Sequence, residues 1–391
     1  MKTLRQKTLG PTQKDIGLAL NLAQSTVAVA LNPKLRSRLP QETVALIEKK
    51  AAEMGYRPQR MARILRNGRS YTFGALFCSG SYHAPQERVK YLAQCALRRG
   101  YQLLALDLEW FGKDHRATED YLLGAAVEGV VLCNLQSDTK AYPVATLEKF
   151  LIERGFPVVA LSSFTHTRME SIYPDLGDGF YRMTQHHLAQ GSRELELLLA
   201  FRDADLKQAG EGIRTRIEGF SRAIVDAGGE VVTDPHNVDL LGLPAQPRRK
   251  TPGIVGRVRY PIWPEGIKDV FELGSRMTEE LIQKGGKLPD SLVCSNDHIA
   301  AGALSACIRN RIDIPGEMLI SGADDAPFSR FCGVPLTTIA QPAEALAEWS
   351  LNRIVELIEN PEERSIVQVK TLPCEIVPRL STQRELSENP A

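Results

Sequence analysis

Two groups of side chains in this 391-residue sequence have types and spacings that could do chemistry. The first consists of carboxylates and imidazoles. His186 and His187 are adjacent, but neighbours on a helix point about 100° apart and cannot share one metal ion unaided, so packing is the expectation for both. Asp324 and Asp325 are also adjacent, and sequence spacing alone does not make a carboxylate pair catalytic. No G-x-G-x-x-G opens a helix after a strand, and no G-x-x-x-x-G-K-[ST], G-x-S-x-G or H-E-x-x-H occurs. No enzymatic activity, metal or cofactor is therefore expected. The second group is basic. Residues 1–70 carry fourteen Lys and Arg against Asp15, Glu42, Glu48 and Glu53, a head of +10 on a body of −9, hidden in a net charge of +1. That polarity fits a small module that meets polyphosphate and a larger one that does not.

The elements that must carry these groups are legible as patterns. In the head, Thr12 and Asp15 form a capping-box pattern, Ile16 and Leu20 share a helical face, and Asn21 tolerates the left-handed break that follows. A short second helix is expected from about Gln24 to Leu31 with Val27, Ala30 and Leu31 inward, ended by Asn32-Pro33. A third follows Pro40, with Val44, Ile47, Ala51 and Met54 on one face and Gly55 as its stop. Helix, short break, helix is what a helix-turn-helix requires, the second helix offering its first side chains to base edges.

From Tyr71 the pattern changes to strands such as FGALFC, GVVLCNL, ELELLLAF, SLVCSN and MLISGAD alternating with amphipathic helices, which predicts parallel sheets covered on both faces. Residues 230–266, rich in Pro and Gly, resist assignment. At 43% hydrophobic and 24% charged, the composition excludes disordered and collagen-like classes. Seven cysteines without a C-x-x-C pair suit a reducing cytoplasm. Nothing resembles an export signal or a membrane span, so no membrane role is expected.

The head motifs K-D-I at Lys14–Ile16, T-V at Thr26-Val27, L-N at Leu31-Asn32, G-Y-R-P at Gly55–Pro58 and A-R-x-L at Ala62–Leu65 stand in the order of one family. The body continues that order with Asp175-x-x-x-Gly179, Arg216-x-x-Gly219-Phe220, Cys294–Asp297, Gly322–Asp325 and Pro335–Gln341. Over nearly its whole length the chain resembles the LacI/GalR family of bacterial transcription repressors. The resemblance implies an N-terminal all-α helix-turn-helix domain (1–58), a hinge segment (59–70) and a two-lobed α/β periplasmic-binding-protein-like domain with parallel sheets (71–391). Lobe 1 is expected at about 71–190 and 342–370, and lobe 2 at about 191–340 and 371–385.

What the resemblance implies for function is a ligand-responsive repressor that binds double-stranded operator DNA as a homodimer, its effector a small molecule such as a sugar. Thr12, Gln24, Ser25, Thr26, Val29, Asn32, Arg57 and Arg63 are the implied DNA contacts, and Leu65 the implied minor-groove wedge. Asp175, Arg216, Asn296, Asp324 and Gln341 are the implied effector ligands, with Asp175 and Gln341 open to a plain capping or turn role. Family members commonly cap the recognition helix with Ser and follow T-V with Ser-Arg. Ala23 and Ala28-Val29 stand there in this chain, which implies an atypical operator. A solute-binding protein without a DNA role, or an enzyme on the same sheets, are the competing readings.

Overall fold

A computed structural model describes residues 10–32, 35–56, 68–77, 84–108, 115–133, 144–161, 169–199, 211–232, 253–259, 269–365 and 367–384. The chain divides into two units, residues 1–70 and 71–391.

The head contains three α-helices among its described residues: α1 (Gln13–Leu20), α2 (Gln24–Ala30) and α3 (Gln41–Glu53). Thr12 Oγ1 accepts from Asp15 N while the Asp15 carboxylate accepts from Thr12 N, which closes both ends of the capping box. Asn21 stops α1 in the left-handed conformation at φ 51°. Ile16, Val27, Ala30, Val44, Ile47 and Ala51 form one buried cluster, the inward faces expected from the periodicity.

The body holds two sheets. In lobe 1 the strands β1 (Thr72–Phe77), β2 (Gln102–Asp107), β3 (Gly129–Cys133), β4 (Val158–Leu161), β5 (Glu170–Asp175) and β12 (Val369–Pro373) lie in the order β12-β5-β4-β3-β1-β2, all parallel. The helices α4 (Ala84–Arg98) and α11 (Ala343–Glu359) cover one face, where Phe73, Val131, Leu92 and Leu351 are buried together. The other face of the sheet buries Leu122 of α5 (His115–Gly124) and Leu147 and Leu151 of α6 (Val144–Glu153).

Lobe 2 orders its strands β13-β11-β10-β9-β6-β8-β7, where β6 is Glu194–Leu198, β7 Glu230–Val232, β8 Val255–Arg259, β9 Ser291–Cys294, β10 Leu319–Ala323, β11 Thr337–Ala340 and β13 Glu375–Val377. Only β13 breaks the expected parallel pattern, pairing antiparallel with β11. The unassigned stretch contributes β7 and β8, with β8 lying between β6 and β7. One face is covered by α7 (Leu176–Ala189) and α8 (Glu211–Asp226), the other by α9 (Val270–Gln283) and α10 (Asp297–Arg309).

The lobe boundaries differ from those expected. α7 buries Leu176, Phe180 and Met183 against Leu195, Leu197 and Phe220 of lobe 2, so the first crossing falls at Asp175 rather than near 190. β12 pairs with β5 and keeps lobe 1 as far as Pro373, beyond the expected 370. Chain order suggested one boundary, but the apolar face of α7 decides another, because it has no partner in the lobe 1 sheet. α7 also approaches α8 closely at Gly219, where a Cβ would stand 2.1 Å from the Gly177 carbonyl.

Candidate functional site

All three crossings between lobes leave the carboxyl end of a strand: β5 into α7, β11 into α11, and β12 into β13. The carboxyl ends of parallel strands therefore line the space between the lobes, which is where open α/β sheets bind ligands. A cavity of about 460 Å³ opens there, lined by Arg88 and Tyr91 of α4, by Asp324, Asp325, Arg330 and Phe331 beyond β10, and by Gln341.

Its centre is a chain of side chains that joins both lobes. Arg88 of lobe 1, only 3% exposed, donates from Nη1 to the Leu161 carbonyl at 2.8 Å and from Nη2 to Gln341 Oε1 at 2.8 Å. Gln341 Nε2 in turn donates to Asp324 Oδ1 at 2.5 Å. Arg216, on α8, lies within electrostatic reach of both Arg88 and Asp324. Its guanidinium carbon sits 5.6 Å from the centre of the Phe180 ring, and Nη1 donates to the Gly212 carbonyl at 2.6 Å. Burial pushes the Asp324 carboxyl up to about 6, although Arg216, Arg88 and the Gln341 amide pull it the other way. Burial also lowers Arg88.

The backbone that presents Asp324 is held in an uncommon conformation. Asp324 and Asp325 have φ of 109° and 47°, in a region that disfavours side chains. Three consecutive amides secure it: Asp324 N donates to the Ile339 carbonyl at 2.8 Å, Asp325 N to Thr338 Oγ1 at 3.2 Å, and Ala326 N to Asp297 Oδ2 at 2.7 Å. Asp297 is fully buried, accepts from Thr338 Oγ1 at 2.6 Å, and is pushed well above the usual carboxylate range by burial. Gly322 makes the room, since a Cβ there would stand 2.2 Å from Asp297 Oδ1.

Of the expected effector residues, Arg216, Asp324 and Gln341 come together. Asp175 and Asn296 each spend an oxygen on a helix cap, accepting from Asp178 N and from Ile299 N, both at 2.9 Å. Arg88 and Asp297 were not singled out by sequence reasoning. Arg88 did carry a signal, because Leu92 and Cys95, four and seven residues on, are fully buried and place the arginine on an apolar face. His187 is a buried packing residue, its ring nitrogens hydrogen-bonded to Ser291 Oγ at 2.9 Å and Ser321 Oγ at 2.7 Å. Burial pushes that imidazole down to about 3, so it stays neutral. Phe180 is core.

In the head, Gln24 and Ser25 are exposed, and Thr26, Val29 and Asn32 are half-buried. Ala23 stands at the N-cap of α2 and makes no side-chain cap hydrogen bond. Thr12 serves as the cap of α1. Arg57, Arg63 and Leu65 lie outside the described residues.

A model of the periplasmic binding protein-like domain matches residues 184–382. The HTH-type transcriptional repressor CytR of Escherichia coli (strain K12) is 22% identical, with 98% of this chain and 99% of that protein covered. The HTH-type transcriptional repressor PurR of Haemophilus influenzae is 24% identical over 90% of this chain and 92% of its own. Among solved structures, the Lac repressor dimer bound to operator and the anti-inducer ONPF aligns with 96% of this chain and 100% of its own at TM-score 0.70 and 20% identity. A complex of the transcriptional regulator CelR with cellobiose covers 95% of this chain and 99% of its own at TM-score 0.61 and 19% identity. With half of its length matched by that model, the chain belongs to the periplasmic-binding-protein-like family, and with a helical head before the matched region its fold is that of the Lac repressor.

Proposed function

We propose that the chain is a ligand-responsive transcription repressor, in which the head binds a specific operator and a small metabolite in the interlobe cleft controls that binding. The observation that carries this reading is the joining of two units: a basic three-helix head with Gln24 and Ser25 exposed at the start of its second helix, and a two-lobed body whose Arg88–Gln341–Asp324 chain spans the cleft. A solute carrier or an enzyme built on this body would leave the +10 head without a purpose. Since the Lac repressor is seen as a dimer on its operator, we infer the same assembly here, on a pseudo-palindromic site and in the cytoplasm.

In this reading Gln24, Ser25 and Thr26 donate and accept at base edges, and Val29 meets thymine methyl groups. Thr12, Asn32, Arg57 and Arg63 hold phosphates, and Leu65 wedges into the minor groove. In the cleft Arg216, Asp324 and Gln341 bind the effector, and Asp175 and Asn296 contribute whatever their capping roles leave available. The test is a fluorescence titration of the full chain with selected operator fragments at two salt concentrations. Binding that is sequence-selective and falls steeply with salt is the expected result, and binding that is neither overturns the proposal.

A further inference from the structure

The turn after β10 is held by two side chains that are not part of the cavity wall. Thr338 of β11 and Asp297, the first residue of α10, are both fully buried, and neither stands among the residues that line the cleft. Thr338 Oγ1 accepts from Asp325 N at 3.2 Å and donates its own hydrogen to Asp297 Oδ1 at 2.6 Å, while Asp297 Oδ2 accepts from Ala326 N at 2.7 Å. The cap of α10 does not need this carboxylate, because Asn296 already accepts from Ile299 N at 2.9 Å. The charged groups that act on Asp297 are Asp324 and Asp325, which oppose its charge. A fully buried carboxylate facing other carboxylates weakens the fold, which by itself would favour an apolar side chain there.

What Asp297 offers and an apolar residue does not is a pair of acceptors, one for the Thr338 hydroxyl and one for the Ala326 amide. With Asp324 N bonded to the Ile339 carbonyl, this relay holds Asp324 and Asp325 at φ of 109° and 47°, values that persist only where the surroundings impose them. Arg379 secures the other side of the turn. It takes the Asp325 carboxylate and donates from Nη1 to Ser329 Oγ at 2.9 Å and to the Leu336 carbonyl at 2.8 Å. Of two adjacent carboxylates, Asp325 is thereby committed to the turn itself, and Asp324 is the one delivered to Gln341.

We propose that Thr338 and Asp297 are positioning residues of the cleft, whose hydrogen-bond relay holds the Asp324–Ala326 backbone in the conformation that brings the Asp324 carboxyl to Gln341. The proposal rests on the reading of the cleft as the effector site and adds the two residues that pre-form it. Thr338→Val keeps nearly the same shape without the hydroxyl. Asp325 N then loses its acceptor and Asp297 one of its two donors, in a buried setting where unpaired polar groups are strongly disfavoured. The turn relaxes, and the Asp324 carboxyl leaves Gln341 for water. Thr338→Ser keeps the hydroxyl and with it the relay.

The test is titration of the Asp324 carboxyl by carbon NMR in the full chain labelled at its aspartate carboxyls, without DNA or effector, the resonance being assigned by its loss in Asp324→Asn. Burial places the native midpoint at about 6, against the pull of Arg216, Arg88 and Gln341. In Thr338→Val it is expected to fall to about 4, the ordinary value for an aspartate in water and a roughly hundredfold loss of proton affinity, whereas Thr338→Ser stays near the native value. A threonine that only supports the sheet would change stability and leave this midpoint where it was. A Thr338→Val midpoint that stays near the native one or rises therefore overturns the proposal. So does a Thr338→Ser midpoint that falls as far as that of Thr338→Val, because shape and not the hydroxyl would then set the turn. A native midpoint near 4 overturns it as well, since the carboxyl would not be held out of water. Should Thr338→Val fail to fold, Asp297→Asn replaces it: an amide offers one acceptor where two donors each need one, so the same fall is expected and an unchanged midpoint is the contrary result. No DNA or effector enters the carboxyl measurement, and the operator titration decides the regulator reading separately, so either claim can fail while the other stands.

Discussion

Asp324 is the residue at which fold and function compete. Burial raises its carboxyl from 3.8 to about 6, so the folded chain binds that proton more tightly than the unfolded chain does. Stability contributed by this group is therefore complete below about pH 4, falls as pH rises towards 6, and stays lower above it. Asp324→Asn keeps an acceptor for Gln341 and removes the charge. It should be more stable than the native chain at pH 7.5 by about 3 kcal/mol, with the gap closing near pH 4. Urea unfolding at pH 4, 5, 6 and 7.5 measures this, and a variant less stable at pH 7.5 would mean that the guanidiniums outweigh burial. The same cluster predicts that Arg216→Ala reduces effector affinity by about tenfold or more, read as a right-shifted effector dependence of operator release, with effector-free operator affinity as the control for folding. The positions of Arg216, Asp324 and Gln341 could be read from the order of motifs. Their convergence could not, because it depends on three consecutive amides fixing a backbone at positive φ, and no residue type announces that. Nor could sequence show that Asp175 and Asn296 would turn an oxygen back onto their own helices.

At the scale of elements, the head was the most legible part, because local signals decide it. The capping box, the left-handed Asn21 and the spacing of Ile16, Val27 and Val44 each specify their own stretch of chain. α2 is the weak member. It has only seven residues and Ala23 in place of a capping side chain, with φ −66° and ψ 143° that a capping serine would accept without change. Ala23→Ser should therefore stabilise the helix by about 1 kcal/mol, or roughly fivefold in the protection of the Ser25–Val27 amides, which hydrogen exchange on the full chain measures. Val29→Arg tests the outer face of the same helix. If Val29 meets bases, the preferred operator sequence changes in a selection from random duplexes, and a change in total affinity with the same preference would remove Val29 from the interface. Elements of the body were less legible where their meaning is tertiary. β8 lies in a stretch with no clear alternation and earns its place by pairing between β6 and β7. α7 reads as a helix, yet its lobe is set by a partner across Gly219 that lies 42 residues on from Gly177.

For the whole molecule, the proposed regulator makes a claim that does not depend on the route between its sites. The lobes are joined by three crossings and by the Arg88–Gln341–Asp324 chain, so a ligand in the cleft has different contacts in closed and open arrangements. If those arrangements also differ in operator affinity, the coupling is one free energy shared by both ligands, typically about 1–3 kcal/mol, or about 5–150-fold. The ratio of operator dissociation constants with and without saturating effector must then equal the ratio of effector dissociation constants with and without saturating operator. Both are measurable on the same preparation, by fluorescence anisotropy for DNA and calorimetry for the effector, at one salt concentration because operator affinity moves steeply with salt. Gln341→Leu cuts the bridge at its middle and should move both ratios towards one together. Ratios that keep their native value in Gln341→Leu would show that this bridge does not carry the coupling, and ratios of one in the native chain would show that the cleft does not govern the head.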